Sequence, residues 1–312
     1  MRDLAERQIM NKNMQEVHDM KQMRKRIVEH GVKMALRAVA LALLVLCGLS
    51  VAPDHAAAAV KEVKLNNRTD ITKYDITGDG RKDKLRIDSK EVSETSEDEG
   101  INWYITVNGK VVYKAKDKYT NKMEVSLYQI GTKCIYLEIH EVDAEASFNL
   151  FHGLYQYSGG KLKCVCDFYT PMVKKIWDYR YETEIISLTS KKMTVVGGNE
   201  FGGTGWLHWK MVYQNKDGKW KLKGNTYTVV GSQATNNKQN KLTAKKEIKM
   251  YKKPGGKSVS FTVKSGEKVK IKKICIKGKK TYIQAVNLKG KAGWFLSPRE
   301  AVEYFKETMF AG

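Results

Sequence analysis

The residues best suited to chemistry lie in one short loop, 75–83, that is rich in side-chain oxygens. With Asp75 as position one, these oxygens recur at positions one, three, five and nine. A hard cation such as Ca²⁺ collects its oxygen ligands in this way, at about 2.3–2.6 Å. The side chains would come from Asp75, Thr77, Asp79 and Asp83, and Arg81 would add its backbone carbonyl. The spacing therefore predicts a calcium site.

Gly80 and Arg86 indicate which kind of calcium loop this sequence could form. Gly80, at position six, permits the tight turn that such loops need, whereas Arg86 at position twelve excludes a helix–loop–helix hand. The run resembles the calcium loops of FG-GAP and dockerin-type repeats, and this resemblance implies metal binding. Thr77 departs from their pattern because those repeats carry Asp at the third position. The alternative interpretation is an ordinary Asp/Gly turn between two strands.

Short β-type runs position this loop. Alternating apolar residues flank Asn108-Gly109, which is a hairpin signal. Similar runs recur between turns at Gly131, Ser158–Gly160 and Asp217-Gly218. No run has a helical period of useful length. The pattern predicts an antiparallel all-β domain over 62–232.

A second, smaller β module is predicted nearer the C-terminus. The stretch 233–241 is polar and lacks large apolar residues, so it is interpreted as a linker. Four or five β-type runs follow in 242–298, separated by Gly- and Lys-bearing turns, and this length suits a small closed barrel. Beyond Pro298, apolar residues at helical spacing predict a short C-terminal helix over 299–312.

This C-terminal module resembles the bacterial Src homology 3 domains. The resemblance rests on four motifs, Met250-Tyr251-x-x-Pro254, Ser265–Val269, Tyr282–Ala285 and Gly290–Phe295. Tyr282 stands where the family often has Trp. Related domains commonly recognise peptidoglycan peptides, so the resemblance implies attachment to the cell wall. The candidate ligand-binding aromatic residues are Tyr251, Tyr282 and Trp294.

Most of the excess positive charge also lies in this module. The chain of 312 residues has a formal net charge of +22. Residues 241–312 hold 19 Lys/Arg against 5 Asp/Glu, a net charge of +14, whereas residues 60–240 hold 28 against 23. Such a module suits phosphate-rich or carboxylate-rich wall polymers and predicts retention that weakens with salt. Nucleic acid is disfavoured as a partner because export removes the protein from it.

Export is indicated by the N-terminal region, 1–59. Ala38–Ala52 is an uncharged, mostly apolar run of 15 residues, which follows a basic flank containing Arg24–Arg26 and precedes the small residues Ala56–Ala59. A membrane span needs about 20 apolar residues, so an uncleaved anchor is the less favoured alternative. Met23 and Met34 are alternative starts to Met1. We therefore expect a secreted or envelope-associated protein with an N-terminal signal or anchor helix.

The four cysteines outside that region are too few for a disulfide framework. Cys164 and Cys166 are two residues apart, so in a regular strand they point to one face and do not pair with each other. A disulfide between Cys134 and one of them stays open. Buried free thiols are the favoured interpretation for these residues and for Cys275.

Candidate catalytic groups are few. Glu138 and His140 share one face of a predicted strand, and an exposed polar strand face accounts for them better than acid–base chemistry. The sequence contains no zinc-protease, serine-hydrolase or phosphate-loop motif. The glycine-rich stretch 197–205 is interpreted as a flexible surface loop. These patterns favour a protein that is not an enzyme.

Taken together, the sequence predicts an exported, non-catalytic binding protein of a Gram-positive-type cell envelope. Its fold would be mainly β, and its partner would be cell-wall peptidoglycan or an anionic wall polymer. Two alternatives stay open. One is a secreted hydrolase or carbohydrate-active domain delivered to the wall by the same module, and the other is an adhesin or interaction partner in an envelope complex.

Overall fold

A computed structural model describes residues 60–65, 67–91, 101–115, 120–131, 134–143, 148–176, 181–232, 240–300 and 302–308. The predicted signal or anchor helix in 1–59 lies outside these ranges. The described residues belong to one compact unit, Ala57–Gly312. They form 20 β-strands and one short α-helix, so the mainly β fold predicted from the sequence is confirmed.

The strands follow one another closely along the chain. In order they are β1 (Val60–Leu65), β2 (Ile71–Tyr74), β3 (Asp83–Glu91), β4 (Ile101–Val107), β5 (Lys110–Lys114), β6 (Lys122–Ile130), β7 (Cys134–Asp143), β8 (Phe148–Ser158), β9 (Lys161–Asp167), β10 (Glu182–Leu188), β11 (Lys192–Phe201), β12 (Gly205–Lys216), β13 (Lys219–Leu222), β14 (Thr226–Ser232), β15 (Lys241–Thr243), β16 (Ile248–Tyr251), β17 (Val259–Val263), β18 (Lys268–Lys277), β19 (Lys280–Asn287) and β20 (Ala292–Leu296). Helix α1 (Thr170–Ile176) lies between β9 and β10.

The strands form three antiparallel sheets. A small sheet has the order β2-β3-β4-β5, and a central sheet has the order β1-β6-β7-β8-β9. The large sheet has eleven strands, with the main path β10-β11-β12-β14-β18-β19-β20-β16-β17. In addition, β13 pairs with β12, and β15 pairs with β18.

The central sheet is buried on both faces. In β6, Val125 and Leu127 belong to the core shared with the small sheet, whereas Tyr128 and Ile130 belong to the core shared with the large sheet. Successive side chains of a strand point to opposite faces, so a strand covered on both sides is apolar at nearly every position. Burial of one large apolar side chain stabilises the fold by about 1.5–3 kcal/mol.

The large sheet continues from β14 into the C-terminal module. Residues 226–228 of β14 pair with 273–275 of β18, and β15 pairs with residues 268–270 of the same strand. The closed barrel expected for 242–298 is not formed by the described strands, whose path is open and ends at β17. The reason is that β14 and β15 occupy one edge of β18, so the sheet extends instead of closing on itself.

Residues 302–308, near the C-terminus, form isolated bridges and a turn, which corrects that part of the helix predicted over 299–312. Within the described residues 302–308, Glu303 forms a bridge with Gly203, and the buried Phe305 forms one with Ala244. Backbone groups committed to these partners are not available for helical hydrogen bonds. Two further backbone bonds tie the segment to β15 and the residues after it, from the Lys245 N–H to the Tyr304 carbonyl and from the Lys306 N–H to the Thr243 carbonyl.

The glycine-rich stretch 197–205 is likewise ordered, contrary to the flexible loop expected from its composition. It forms the end of β11, a tight turn and the start of β12. A Cβ atom at Gly202 would lie 2.3 Å from the carbonyl oxygen of Pro298. The Ser297 hydroxyl donates a hydrogen bond to the Gly202 carbonyl at 2.9 Å. Glycine is required here because another part of the backbone approaches so closely.

Helix α1 has local signals that the sequence reasoning overlooked. The Asp167 carboxylate accepts hydrogen bonds from the backbone N–H groups of Tyr169 and Thr170, at 3.0 and 2.9 Å. Pro171 lies in the first turn of the helix, and Lys174 and Lys175 lie in the last. An Asp cap, an early proline and terminal lysines are the expected helix signals, but seven residues are too few to show a helical period.

Candidate functional site

The three candidate aromatic residues of the C-terminal module lie together on one face of the large sheet. Strands β16, β20 and β19 are neighbours, and Tyr251 pairs with Trp294, which pairs in turn with Gln284. Tyr282 precedes Gln284 by two residues on β19 and therefore shares its face. The strand register thus brings together side chains that the sequence separates.

This face points away from the protein core. Met250, Ile283 and Phe295, which are neighbours of the aromatic residues in the sequence, are buried in the core shared with the central sheet. Alternation along a strand then directs Tyr251, Tyr282 and Trp294 to the opposite side. We call this surface the aromatic face and define it as Tyr251, Val259, Tyr282, Gln284, Trp294 and Leu296.

The aromatic face has a buried centre and an exposed rim. Trp294 is only 8% exposed, whereas Tyr251 and Tyr282 are half-buried. Val259, which pairs with Tyr251, is 45% exposed, and Leu296, which pairs with Tyr282, is 47% exposed. Exposed apolar side chains that adjoin aromatic rings are typical of an interaction surface.

A basic turn borders the aromatic face. A Cβ atom at Gly255 would lie 3.0 Å from the hydroxyl oxygen of Tyr282, so this turn closely approaches the ring. Gly255 also has a positive φ of 72°, which side chains disfavour. The same turn carries the exposed Lys252, Lys253 and Lys257. The tyrosine is therefore adjacent to a concentration of positive charge.

Acidic residues of the C-terminal segment bind elsewhere in the module. Glu303 forms an ion pair with Lys245. Glu307 accepts hydrogen bonds from the backbone N–H and the hydroxyl of Thr243, both at 2.7 Å. Burial alone would raise the pKa of Glu307, but these bonds lower it. Both carboxylates thus hold the C-terminal segment to the region around β15, and Thr243 and Lys245 are their partners.

The predicted calcium loop lies between β2 and β3. The two carboxylate oxygens of Asp75 accept hydrogen bonds from the N–H groups of Gly78 and Gly80, at 2.7 and 2.8 Å. The carboxylate of Asp79 accepts one from the N–H of Arg81 at 2.8 Å. These bonds close the turn from within.

Asp83, the last predicted ligand, is buried at the base of the loop. Its carboxylate accepts hydrogen bonds from the N–H groups of Ile76 and Thr77, both at 2.7 Å, and from the side-chain amide of Asn108 at 2.6 Å. The hydroxyl of Thr77 is a further donor, at 3.3 Å. Burial alone would raise the pKa of Asp83, but these hydrogen bonds lower it. Asp83 therefore joins the loop to the β4–β5 hairpin.

The side chains of the loop, as arranged, accept hydrogen bonds from the loop and the neighbouring hairpin. In the part of the chain that the structure describes, no group of three or more His, Cys, Asp or Glu side chains is placed to hold a metal ion. The geometry agrees with the alternative interpretation, an Asp/Gly turn between strands. Calcium binding stays a prediction from the sequence.

A polar network lies between the central sheet and β10. The Glu138 carboxylate accepts hydrogen bonds from His152 Nε2 at 2.8 Å and from the Tyr128 hydroxyl at 2.6 Å. His152 Nδ1 contacts the hydroxyl of Thr183. The strand face at Glu138, which we expected to be exposed, is therefore buried.

His140 extends this network toward the start of β10. Its ring stacks on that of His152, with centroids 4.7 Å apart. Its Nε2 atom is 2.7 Å from the side-chain oxygen of Asn149, whose amide donates to the Tyr181 carbonyl at 2.7 Å. Side chains of β7 and β8 thus join the central sheet to the large sheet.

The protonation of the network follows from burial. Burial lowers the pKa of His152, and the hydrogen bond to Glu138 only partly offsets this effect. Burial alone would raise the pKa of Glu138, but the bonds from His152 and Tyr128 lower it. A neutral imidazole that donates to Glu138 and accepts from Thr183 satisfies all these groups. This hydrogen-bonded network is buried, and its polar groups satisfy one another. It is therefore better suited to stabilising the fold than to proton transfer.

Cys164, Cys166 and Cys275 are free thiols. Cys166 and Cys275 are buried, as predicted, whereas Cys164 is exposed. A bulge in β9 pairs Leu154 with Cys166 but Tyr155 with Cys164. The extra residue breaks the strand alternation, so the two cysteines face opposite sides of the sheet. This corrects the shared face predicted from their spacing.

No family model, no curated protein and no solved structure matches this chain. Within the described ranges, no helix combines the length and the apolar character needed to cross a membrane. The apolar run Ala38–Ala52 lies outside those ranges. The function is therefore inferred from the surfaces of the molecule itself.

Proposed function

We propose that this protein is an exported, non-catalytic cell-envelope protein that attaches to the cell wall through its aromatic face. The ligand is peptidoglycan or an anionic wall polymer. Lysines around the aromatic face attract the negative groups of this ligand. The small and central sheets are the body that this attachment retains at the wall.

The convergence of Tyr251, Tyr282 and Trp294 on one outward face carries this proposal. Aromatic side chains provide a large apolar contact area and have few rotatable bonds, so they lose little entropy when a ligand covers them. A buried aromatic centre with a more exposed rim is also the usual organisation of an energetically important contact. The half-buried tyrosines offer this contact to a sugar ring or a peptide.

The charge of the module favours an anionic ligand. Residues 241–312 have an excess of 14 positive charges over negative ones. Such an excess attracts polyanions over a distance and raises their rate of association. The attraction is screened by salt, because the Debye length falls to about 8 Å at physiological ionic strength. Aromatic contact and electrostatic attraction therefore both contribute to binding, and salt weakens only the electrostatic attraction.

Co-sedimentation of the full-length protein with purified cell-wall sacculi tests this proposal. The protein should pellet with sacculi at low salt, and Tyr251→Ala should weaken its affinity about tenfold, as expected for an important interface residue. Tyr104→Ala is the matched control, since Tyr104 is half-buried on the outward side of the small sheet. If both variants pellet equally well, the aromatic face is not the attachment site.

The same sacculi separate attachment from turnover. Retention of the protein without release of soluble wall fragments supports a binding protein. Release of fragments by the wild-type protein would favour the hydrolase alternative. Failure to pellet at any salt concentration would favour the alternative of a partner in an envelope complex.

A further inference from the structure

A row of directly paired residues crosses the outer face of the large sheet, well beyond the aromatic face. Each member lies opposite the next on the neighbouring strand, from β12 through β14, β18, β19 and β20 to β16. We call it the cross-strand row. Its members are Lys210, Thr228, Lys273, Gln284, Trp294 and Tyr251.

All members of the cross-strand row lie on the outward side of the sheet. Residues that pair directly across antiparallel strands project to the same face. The residues before and after Lys210 in the sequence, Trp209 and Met211, are buried in the core, as are Tyr227 and Val229 around Thr228. Lys210, Thr228 and Lys273 are exposed to solvent.

The cross-strand row spans both domains predicted from the sequence. Lys210 and Thr228 belong to 62–232, whereas the other members belong to 242–298. Six neighbouring strands about 4.8 Å apart make a row roughly 24 Å long. The aromatic face covers only the end of the row at β19, β20 and β16. A ligand that contacted the whole row would therefore have to be an extended chain.

The two lysines of this row are available to an anionic ligand. Among the residues that the structure describes, neither Lys210 nor Lys273 forms an ion pair. A polyanion would thus be attracted along the row between Tyr251 and Lys210.

We infer that the cross-strand row is one continuous binding track for a linear polymer of repeating phosphate groups. The polymer is held by the aromatic face at one end and by Lys210 at the other. Lysine ammonium groups bind phosphate as point charges and impose no planar geometry on it. The inference rests on the proposed function and adds the form of the ligand, an extended chain that crosses both predicted domains.

Linear inorganic polyphosphate of two lengths tests the inference, one shorter than the cross-strand row and one several times longer. Dissociation constants are measured at low salt for the full-length protein. Lys210→Gln should weaken binding of the long chain about threefold, the size expected for one exposed ion pair, and should leave binding of the short chain nearly unchanged.

Lys273→Gln, next to the aromatic face, should weaken binding of both polyphosphate chains. Lys114→Gln, on the small sheet, is the matched control, and thermal melting shows that each variant is folded.

The outcomes separate this inference from the proposed function. If Lys210→Gln and Lys114→Gln bind the long chain equally, the continuous track is overturned, although weaker binding of Tyr251→Ala to sacculi would still support attachment. If the wild-type protein pellets with sacculi but does not bind polyphosphate, the inference that the ligand is a phosphate polymer is overturned, whereas the proposed attachment to the wall stands. If no variant weakens binding to either probe, both proposals fail.

Discussion

Two polar regions of this protein differ in burial and in the pairing of their side chains. The network around Glu138 and His152 lies inside, between the central sheet and β10, and each of these residues has two hydrogen-bond partners. The cross-strand row lies on the outer face of the large sheet. Its lysines, Lys210 and Lys273, form no ion pair with any described residue. In these two regions, the buried polar groups are paired with one another and the exposed lysines are not.

The difference has a physical reason. A charge removed from water loses several kcal/mol of hydration and is tolerated only when protein groups replace the water. An exposed ammonium keeps its hydration and needs no partner. Side chains that are already paired inside the fold have little capacity to bind a ligand, whereas exposed lysines beside aromatic rings retain theirs. Stability and binding should therefore respond to substitutions in different regions.

The largest effect is expected from Glu138→Ala. The substitution leaves His152 Nε2–H and the Tyr128 hydroxyl without an acceptor in the interior, so the free energy of unfolding should fall by about 3 kcal/mol. Chemical denaturation at neutral pH measures this change. Glu247→Ala is the control, because Glu247 is exposed and lies outside the network, so this substitution should lower the free energy of unfolding by less than about 1 kcal/mol. Equal effects of the two substitutions would contradict a structural role for the network.

Acid should destabilise the protein through the same network. The pKa of His152 is lowered by folding, so the unfolded chain binds a proton near the usual pKa of 6.5 while the folded chain does not. Stability is thus fully present above about pH 6.5 and falls as the pH decreases toward the lowered pKa, by at most about 1.4 kcal/mol per pH unit. The pKa of Glu138 is also lowered by folding, so stability decreases further as the pH falls below the usual value of 4.5.

Unfolding curves collected between about pH 5 and pH 8 measure this dependence. His152→Gln should flatten the profile, because it removes the titrating imidazole but keeps a polar side chain. An equally steep profile in that variant would assign the acid sensitivity to other groups. Retention on sacculi at pH 7 should differ little between the folded variant and the wild-type protein.

The outer face should show the reverse behaviour. Lys273→Gln should change the free energy of unfolding by less than about 0.5 kcal/mol, because the side chain is exposed and has no ion-pair partner in the described structure. Retention on sacculi should decrease as salt is raised from 0.1 M to 1 M, since the Debye length falls from about 10 Å to about 3 Å. Retention that does not change with salt would contradict an electrostatic contribution.

The smallest effect is expected at the predicted calcium loop, which belongs to neither region. If the loop binds Ca²⁺, the melting temperature of the wild-type protein should rise with Ca²⁺ concentration, because a ligand of the folded state stabilises it. Asp79→Ala should abolish this rise. It should change the metal-free melting temperature only slightly, since Asp79 is exposed and accepts one local hydrogen bond. No rise in the wild-type protein would show that the loop is an Asp/Gly turn.

The sequence by itself determined the local structure of this protein. Alternating apolar residues and glycine turns depend on neighbours within a few positions, and they correctly predicted a mainly β chain. They also identified Tyr251, Tyr282 and Trp294 as candidate binding residues, because the motifs that contain them are local. The helix signals around Asp167 and Pro171 were equally local, although they were overlooked.

The tertiary structure decided which of these elements meet. Pairing of β14 with β18 kept the C-terminal strands from closing into a barrel, and pairing of Phe305 with Ala244 kept the last segment from forming a helix. It also buried Glu138 against His152 and extended the cross-strand row to Lys210. Such contacts join residues far apart in the chain, and their free energy depends on burial and on partners that no local pattern specifies.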